Sequence, residues 1–267
     1  MPTVADLLAD LAAEHASLDA VLARLPSAPW AAPTPAAGWD VRDSISHLCF
    51  FDEAATLALL DPAGFETHKA ELVTAIGASD GGAGAATPDV ALGRGLDDPA
   101  ALLARWRASR ADLLVGAAGA EDGVRVPWYG PAMSLASFTT ARLMETWAHG
   151  TDVRDALGVP LEAGPRLRHV IHIGVAARTY AFAVHGVTDP GDPIRVDAAA
   201  PDGTTWSWGP DNAADRVTGT ALDLALVLTQ RCHRSHVGVT AEGPTAEAWL
   251  AVAQAFAGPP TLTDPNR

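Results

Sequence analysis

The sequence predicts an α+β protein, a four-helix bundle followed by a smaller α/β domain. Three observations carry that prediction. Four long segments before Pro160 repeat apolar residues at helical spacing. After Pro160 the pattern changes to short alternating runs divided by turn residues. The chain has 267 residues, 48% of them apolar, enough for a packed core without disulfide staples. The expected boundaries are 1–160 for the bundle and 161–267 for the second domain.

The first helix spans Thr3–Leu25. Leu7, Leu8, Leu11, Leu18, Val21 and Leu22 form its apolar stripe, Thr3 suits an N-cap, and Pro26 stops it. A Pro- and Ala-rich loop leads to Trp39-Asp40. Asp40, with Asp43 three residues on, resembles a capping box for a second helix that ends at Leu60, before Asp61-Pro62. Glu66–Ala78 reads as a further short helix, and Ser79–Asp98 as a Gly/Ala-rich connector. The third long helix, Pro99–Ala117, buries Leu102, Leu103, Trp106 and Leu113 and leaves Arg105, Arg107 and Arg110 to solvent. The fourth, Ser134–Leu157, has Ser134 as N-cap and Gly158 as its stop. Beyond Pro160 we expect a helix over Arg166–Val184. Strands at Pro193–Ala199 and Thr204–Gly209 follow, joined by the turn Ala200-Pro201-Asp202-Gly203. Val217–Thr220 leads into a helix over Ala221–Cys232. Val237–Gly243 is extended, Pro244–Phe256 is a last helix, and a loose tail follows Gly258.

Charge limits the partners. With 32 acidic against 18 basic side chains, the formal charge is −14. That argues against nucleic acid and against an anionic membrane, since both need clustered Lys and Arg. No run approaches a membrane span and no leader is evident. Two distant cysteines, Cys49 and Cys232, imply no disulfide framework and fit a reducing cytoplasm. Phosphate-cradling, hydrolase-elbow and zinc-ribbon patterns do not occur.

The chemistry concentrates on two helices. Glu145 and His149 are four residues apart, one turn up the same face, on a stripe with Phe138, Ala141, Ala148 and Asp152. His47 lies inside the second helix among Ile45, Leu48, Phe50 and Phe51. Two imidazoles and a carboxylate suit a divalent ion such as zinc, with coordination left open for water or substrate. Asp43 and Asp152, each a turn from a ligand, are candidates to orient them. Spacing alone also allows a surface Glu–His pair or a core-bonded histidine.

The surrounding words are more specific. WDVRDSISHL, followed by ARLMETWAHGTDVRDALGVP, resembles the DinB-like metal-binding superfamily. Within it the match is to the mycothiol-dependent maleylpyruvate isomerase family. VPWYGPAMSLASFTTARLMETWAHGTDVRDALG, APDGTTWSWGP and VTGTALDLALVLTQRCHRS are similar to an actinobacterial branch described as metal-binding proteins, so the likeness covers nearly the whole chain. The resemblance implies a DinB-like bundle followed by a sterol-carrier-like α/β domain, with zinc on His47, Glu145 and His149. It also implies mycothiol as a thiol cosubstrate, held as thiolate and added to a small electrophile. Addition, rotation about the former double bond and elimination would make an isomerase; retained addition would make an S-transferase. Family contacts from the second domain are basic, and Arg231 and Arg234 in TQRCHRSH are the candidates here. The rival readings are a metal hydrolase or lyase without thiol, and a non-catalytic metal- and ligand-binding protein. Monomer and homodimer both remain open.

The other residues have plainer readings. Cys49 points away from His47 and reads as a buried thiol. Cys232 has cationic neighbours able to lower its pKa, yet reads as unreactive. His169 with His172, and His233 with His236, read as structural or surface residues. Trp206 and Trp208 share one face of a strand and suit core packing. Trp128-Tyr129 serves either packing or the rim of a pocket.

Overall fold

A computed structural model describes residues 2–78, 87–96, 98–121 and 123–258. The chain divides into two compact units, Met1–Pro160 and Leu161–Arg267. Helices and a small mixed sheet give an α+β fold. Among the described residues, no helix is long and apolar enough to cross a membrane.

The first unit is built on α1 (Val4–Leu22), α2 (Val41–Leu60), α5 (Pro99–Ala118) and α6 (Leu135–Ala156). α2 packs on α5 and α6, and α1 on α6 and α5. Leu18, Leu22, Ile45, Leu48, Leu102, Trp106 and Val153 fill the interior between them. Two of the three predicted caps form boxes, Thr3 with Asp6 and Asp40 with Asp43, and Ser134 caps α6 by accepting from the Ser137 N–H. Two further helices attach to this frame, α3 (Pro62–Ala78) and α4 (Pro88–Arg94).

α4 corrects the reading of Ser79–Asp98 as connector throughout. Thr87 occupies the N-cap position, Pro88 takes the first helical position and Asp89 lies in the first turn, the usual signature of a helix start. Residues 79–86 of that expected connector lie outside the described residues. A short antiparallel pair, β1 (Arg125–Val126) and β2 (Met133–Ser134), feeds α6.

In the second unit the expected single helix over Arg166–Val184 is two, α7 (Leu167–Ala176) and α8 (Arg178–Val184), broken at Ala177. The sheet runs β4-β3-β5-β6, from β3 (Ile194–Ala199), β4 (Thr205–Trp208), β5 (Asp215–Thr220) and β6 (Thr240–Glu242). β3 and β5 are parallel; the outer pairings are antiparallel. β3 alternates cleanly: Ile194, Val196 and Ala198 are buried, while Arg195 and Asp197 are half-buried on the other face. α7 and α9 (Ala221–Leu228) pack on this sheet and on each other. α9 stops short of Cys232, with Gln230 at φ 56°. α10 (Pro244–Leu250) is also shorter than predicted, and its first turn is capped by the buried Asp215. Asp215 Oδ1 accepts from the backbone N–H groups of Thr245 at 2.6 Å and Ala246 at 2.9 Å. The expected loose tail lies outside the described residues after Gly258.

Candidate metal centre

α2 and α6 bring His47, Glu145 and His149 together. One ligand atom from each lies within 4.8 Å of the others, the single such cluster found among the described residues. The two imidazoles present Nε2 to the same carboxylate oxygen: Glu145 Oε2 is 3.5 Å from His149 and 4.0 Å from His47. Around a tetrahedral zinc, with ligand bonds near 2.0–2.1 Å, neighbouring donor atoms stand roughly 3.3 Å apart. The three side chains therefore fit such an ion with shifts of under about 1 Å.

Each ring has a carboxylate behind it. Asp89 Oδ2 lies 2.8 Å from His47 Nδ1, and Asp152 Oδ2 3.4 Å from His149 Nδ1. Trp39 stacks on His149 at 5.6 Å and 17°, and Phe51 leans on His47 at 4.6 Å. The site is nevertheless open to solvent, because the His47 and Glu145 side chains keep 18% and 21% of their surface accessible. Burial by itself would raise the Glu145 pKa. The hydrogen bond and charge of His149, then His47 and Arg142, outweigh it and hold the carboxyl at about 2. Glu145 is thus an anion at neutral pH. His47 is shifted down, by burial and then by the neighbouring His149, which keeps its ring neutral and able to ligate.

Asp43, expected to orient a ligand, does not do so. Its carboxylate caps α2 and binds Arg94 Nε at 2.9 Å and Nη2 at 2.6 Å. Asp89 stands at His47 instead. The sequence reading missed it inside the connector, although Thr87-Pro88-Asp89 carries a helix-start signal. Asp152 is where its spacing placed it.

Trp128 stacks on Phe65 at 5.6 Å. Tyr129 meets Phe51 edge-on at 5.4 Å, and its hydroxyl pairs with His68 Nε2 at 2.8 Å. These two residues thus extend, through Phe51, an aromatic wall that begins at His47. Cys49 is fully buried, its thiol pushed up to about 12 by burial and then by Glu53.

Arg231 and Arg234 belong to the second unit. Arg231 donates to the Thr229 carbonyl at 2.7 Å, and Arg234 pairs with Glu247 at 2.5 Å. The Cys232 pKa is raised, by burial and then by Asp223, in keeping with an unreactive thiol rather than with a lowering by its cationic neighbours. Trp208 donates to His172 at 3.3 Å, tying β4 to α7. His233 bonds Ser235 locally at 2.7 Å, with the His236 ring 6.3 Å away.

The family model for the mycothiol maleylpyruvate isomerase N-terminal domain matches residues 11–154. An uncharacterized protein of Mycobacterium tuberculosis strain H37Rv is 49% identical over 253 residues, covering 95% of this chain and 96% of that one. Its counterpart in strain CDC 1551 is equally similar. Among solved structures, the crystal structure of a mycothiol-dependent maleylpyruvate isomerase superposes with a TM-score of 0.57 at 16% identity, over 92% of this chain and 96% of that chain. A histidine-to-alanine mutant of that enzyme matches equally well. At that identity the structural likeness speaks for the fold.

Proposed function

The chain belongs to the mycothiol maleylpyruvate isomerase family, and on that premise we propose that it is a zinc-dependent enzyme that adds a low-molecular-weight thiol, mycothiol, to a small electrophile. The observation that carries this is the convergence of His47 Nε2, His149 Nε2 and Glu145 Oε2 on one solvent-reachable point. A divalent ion bound there supplies the positive charge that holds a thiol sulfur as thiolate at neutral pH.

The chain's own groups do the rest. His47 and His149 would offer ring nitrogens to the ion, and Glu145 would offset one of its two charges. Trp39 and Phe51 wall the ligands with apolar surface, which strengthens electrostatics inside the pocket. The sulfur lone pair bonds to one carbon of the electrophile's double bond while the π pair moves onto the conjugated carbonyl as an enolate, leaving a single bond free to rotate. Elimination re-forms the double bond and returns the thiol. An enolate that takes up a proton from water at the second carbon instead of eliminating keeps the sulfur, and the same site then acts as an S-transferase. Arg231 and Arg234 are the second unit's proposed contacts for an anionic substrate or thiol, and the reading places the protein in the cytoplasm.

Elemental analysis of purified wild type beside His47→Ala, Glu145→Ala and His149→Ala tests the site. About one zinc per chain in wild type, lost in each variant with circular dichroism unchanged, is the expected result. Mycothiol is then offered maleylpyruvate and a panel of other electrophiles, with Arg231→Ala and Arg234→Ala alongside. Wild type that carries no metal and binds none on titration ends the proposal. Metal-dependent turnover that persists without thiol redirects it to a hydrolase.

A further inference from the structure

α4 is held to α2 by contacts that owe nothing to a metal. The Ser46 hydroxyl donates to the Asp89 carbonyl and accepts the Gly93 N–H at 2.7 Å. Gly93 has no alternative: a Cβ there would sit 2.7 Å from Ser46 Cβ. One residue further on, Arg94 grips Asp43 through two nitrogens. Ser46, Asp43 and His47 belong to one stretch of α2, so a seven-residue helix is locked alongside the ligand. From its first turn it extends one carboxylate, that of Asp89, to 2.8 Å from His47 Nδ1.

An ionised carboxylate can only accept, so the hydrogen of that bond belongs to Nδ1. The neutral ring then carries its free lone pair on Nε2, the nitrogen that faces Glu145. Glu145 Oε2, the other carboxylate oxygen facing the ring, stands 4.0 Å from Nε2, beyond hydrogen-bond distance, and Phe51, Trp39 and His149 meet the ring through faces and edges, so the short bond to Asp89 sets the tautomer. We infer that Asp89 is a positioning residue for the metal centre, and that α4 is the device that holds it there. It fixes the tautomer and orientation of His47, so the ligand is poised before an ion arrives. The inference rests on the reading of the triad as a metal site, and it adds a fourth residue that touches no ion.

Carboxylates behind ligating histidines are worth about 10–100-fold in metal affinity. Zinc affinity is measured by competition against a chromophoric chelator at fixed pH, in wild type, D89A and D89N. The expected result is a weakening of about 10–100-fold in D89A and a smaller one in D89N, which keeps an acceptor of the same shape but loses the charge. Thermal unfolding of the metal-free proteins supplies the contrast. Packing alone would lower the apo midpoint in D89A and leave zinc affinity unchanged. Should D89A fail to fold, the isosteric D89N carries the test. G93A, which pushes α4 off Ser46, should weaken zinc while Asp89 itself is intact. D89A and D89N within twofold of wild type overturn the inference and leave the triad standing. Wild type without measurable zinc affinity overturns the triad, and this inference with it.

Discussion

His15 is the most direct handle on the energetics of the bundle. It lies on α1 at 2% exposure, edge-on to Trp106, with Nε2 3.9 Å from Asp52 Oδ2. Neither ring nitrogen has a hydrogen-bond partner among the described residues. Burial pulls its pKa down to about 4; the Asp52 charge opposes this, while Arg110 and Arg142 add to it. In the unfolded chain the ring protonates at about 6.5. Between these values the unfolded state binds more protons, so stability rises with pH there and is lost as pH falls from about 6.5 to about 4. The whole shift corresponds to roughly 3 kcal/mol, of which about 2 kcal/mol falls between pH 7 and pH 5.

His15→Leu removes the titration. Urea unfolding of wild type and variant, with chelator present and the same signal at both pH values, cancels the remaining titrating groups. Wild type should lose about 2 kcal/mol more than the variant between pH 7 and pH 5. Parallel losses, within about 0.5 kcal/mol, would refute the argument that burial holds this ring neutral.

Further outcomes follow from other contacts. Arg142 donates to Asp52 Oδ1 at 2.9 Å with both side chains buried, so Asp52→Ala should cost about 3–5 kcal/mol in urea unfolding. The double variant Asp52→Leu with Arg142→Met should cost much less than the two single changes summed. Gly209 has φ +79°, and a Cβ there would collide with the Ile194 carbonyl, so Gly209→Ala should lower the unfolding midpoint of the second unit by several degrees, roughly the effect of over 1 kcal/mol in a small domain. Cys232 should alkylate with iodoacetamide well before Cys49 in native protein, as peptide mass spectrometry would show, because Cys49 is fully buried.

Much of this architecture was legible because it depends on local rules. The capping boxes at Thr3 and Asp40 and the N-cap at Ser134 are short-range patterns, and each appears where its residues stand. Glu145 and His149 meet because helical geometry puts residues four apart on one side. His47 was harder, since its approach to α6 is a matter of tertiary packing, and the tryptophan-led motif rather than spacing pointed to it. Asp89 was not found, because Gly and Ala in the preceding stretch masked a helix of seven residues. Asp43 misled for the opposite reason. Its spacing from His47 is right for contact, but the α2 N-terminus and Arg94 claim its carboxylate. The break at Ala177 likewise has no counterpart in the apolar periodicity of Arg166–Val184.

The division of the ligands between α2 and α6 has a consequence for biosynthesis. His47 leaves the ribosome early, while Glu145 and His149 are near the end of the first unit. At about 5–20 residues per second, the interval between them is on the order of ten seconds. Ser46, Asp43, Gly93 and Arg94, the residues that hold α4 to α2, are all synthesised before Glu145. A single imidazole offers little to hold a stray ion. On the proposed reading of the triad, its three donors converge only once α6 has docked, which would tie acquisition of an ion to completion of the bundle.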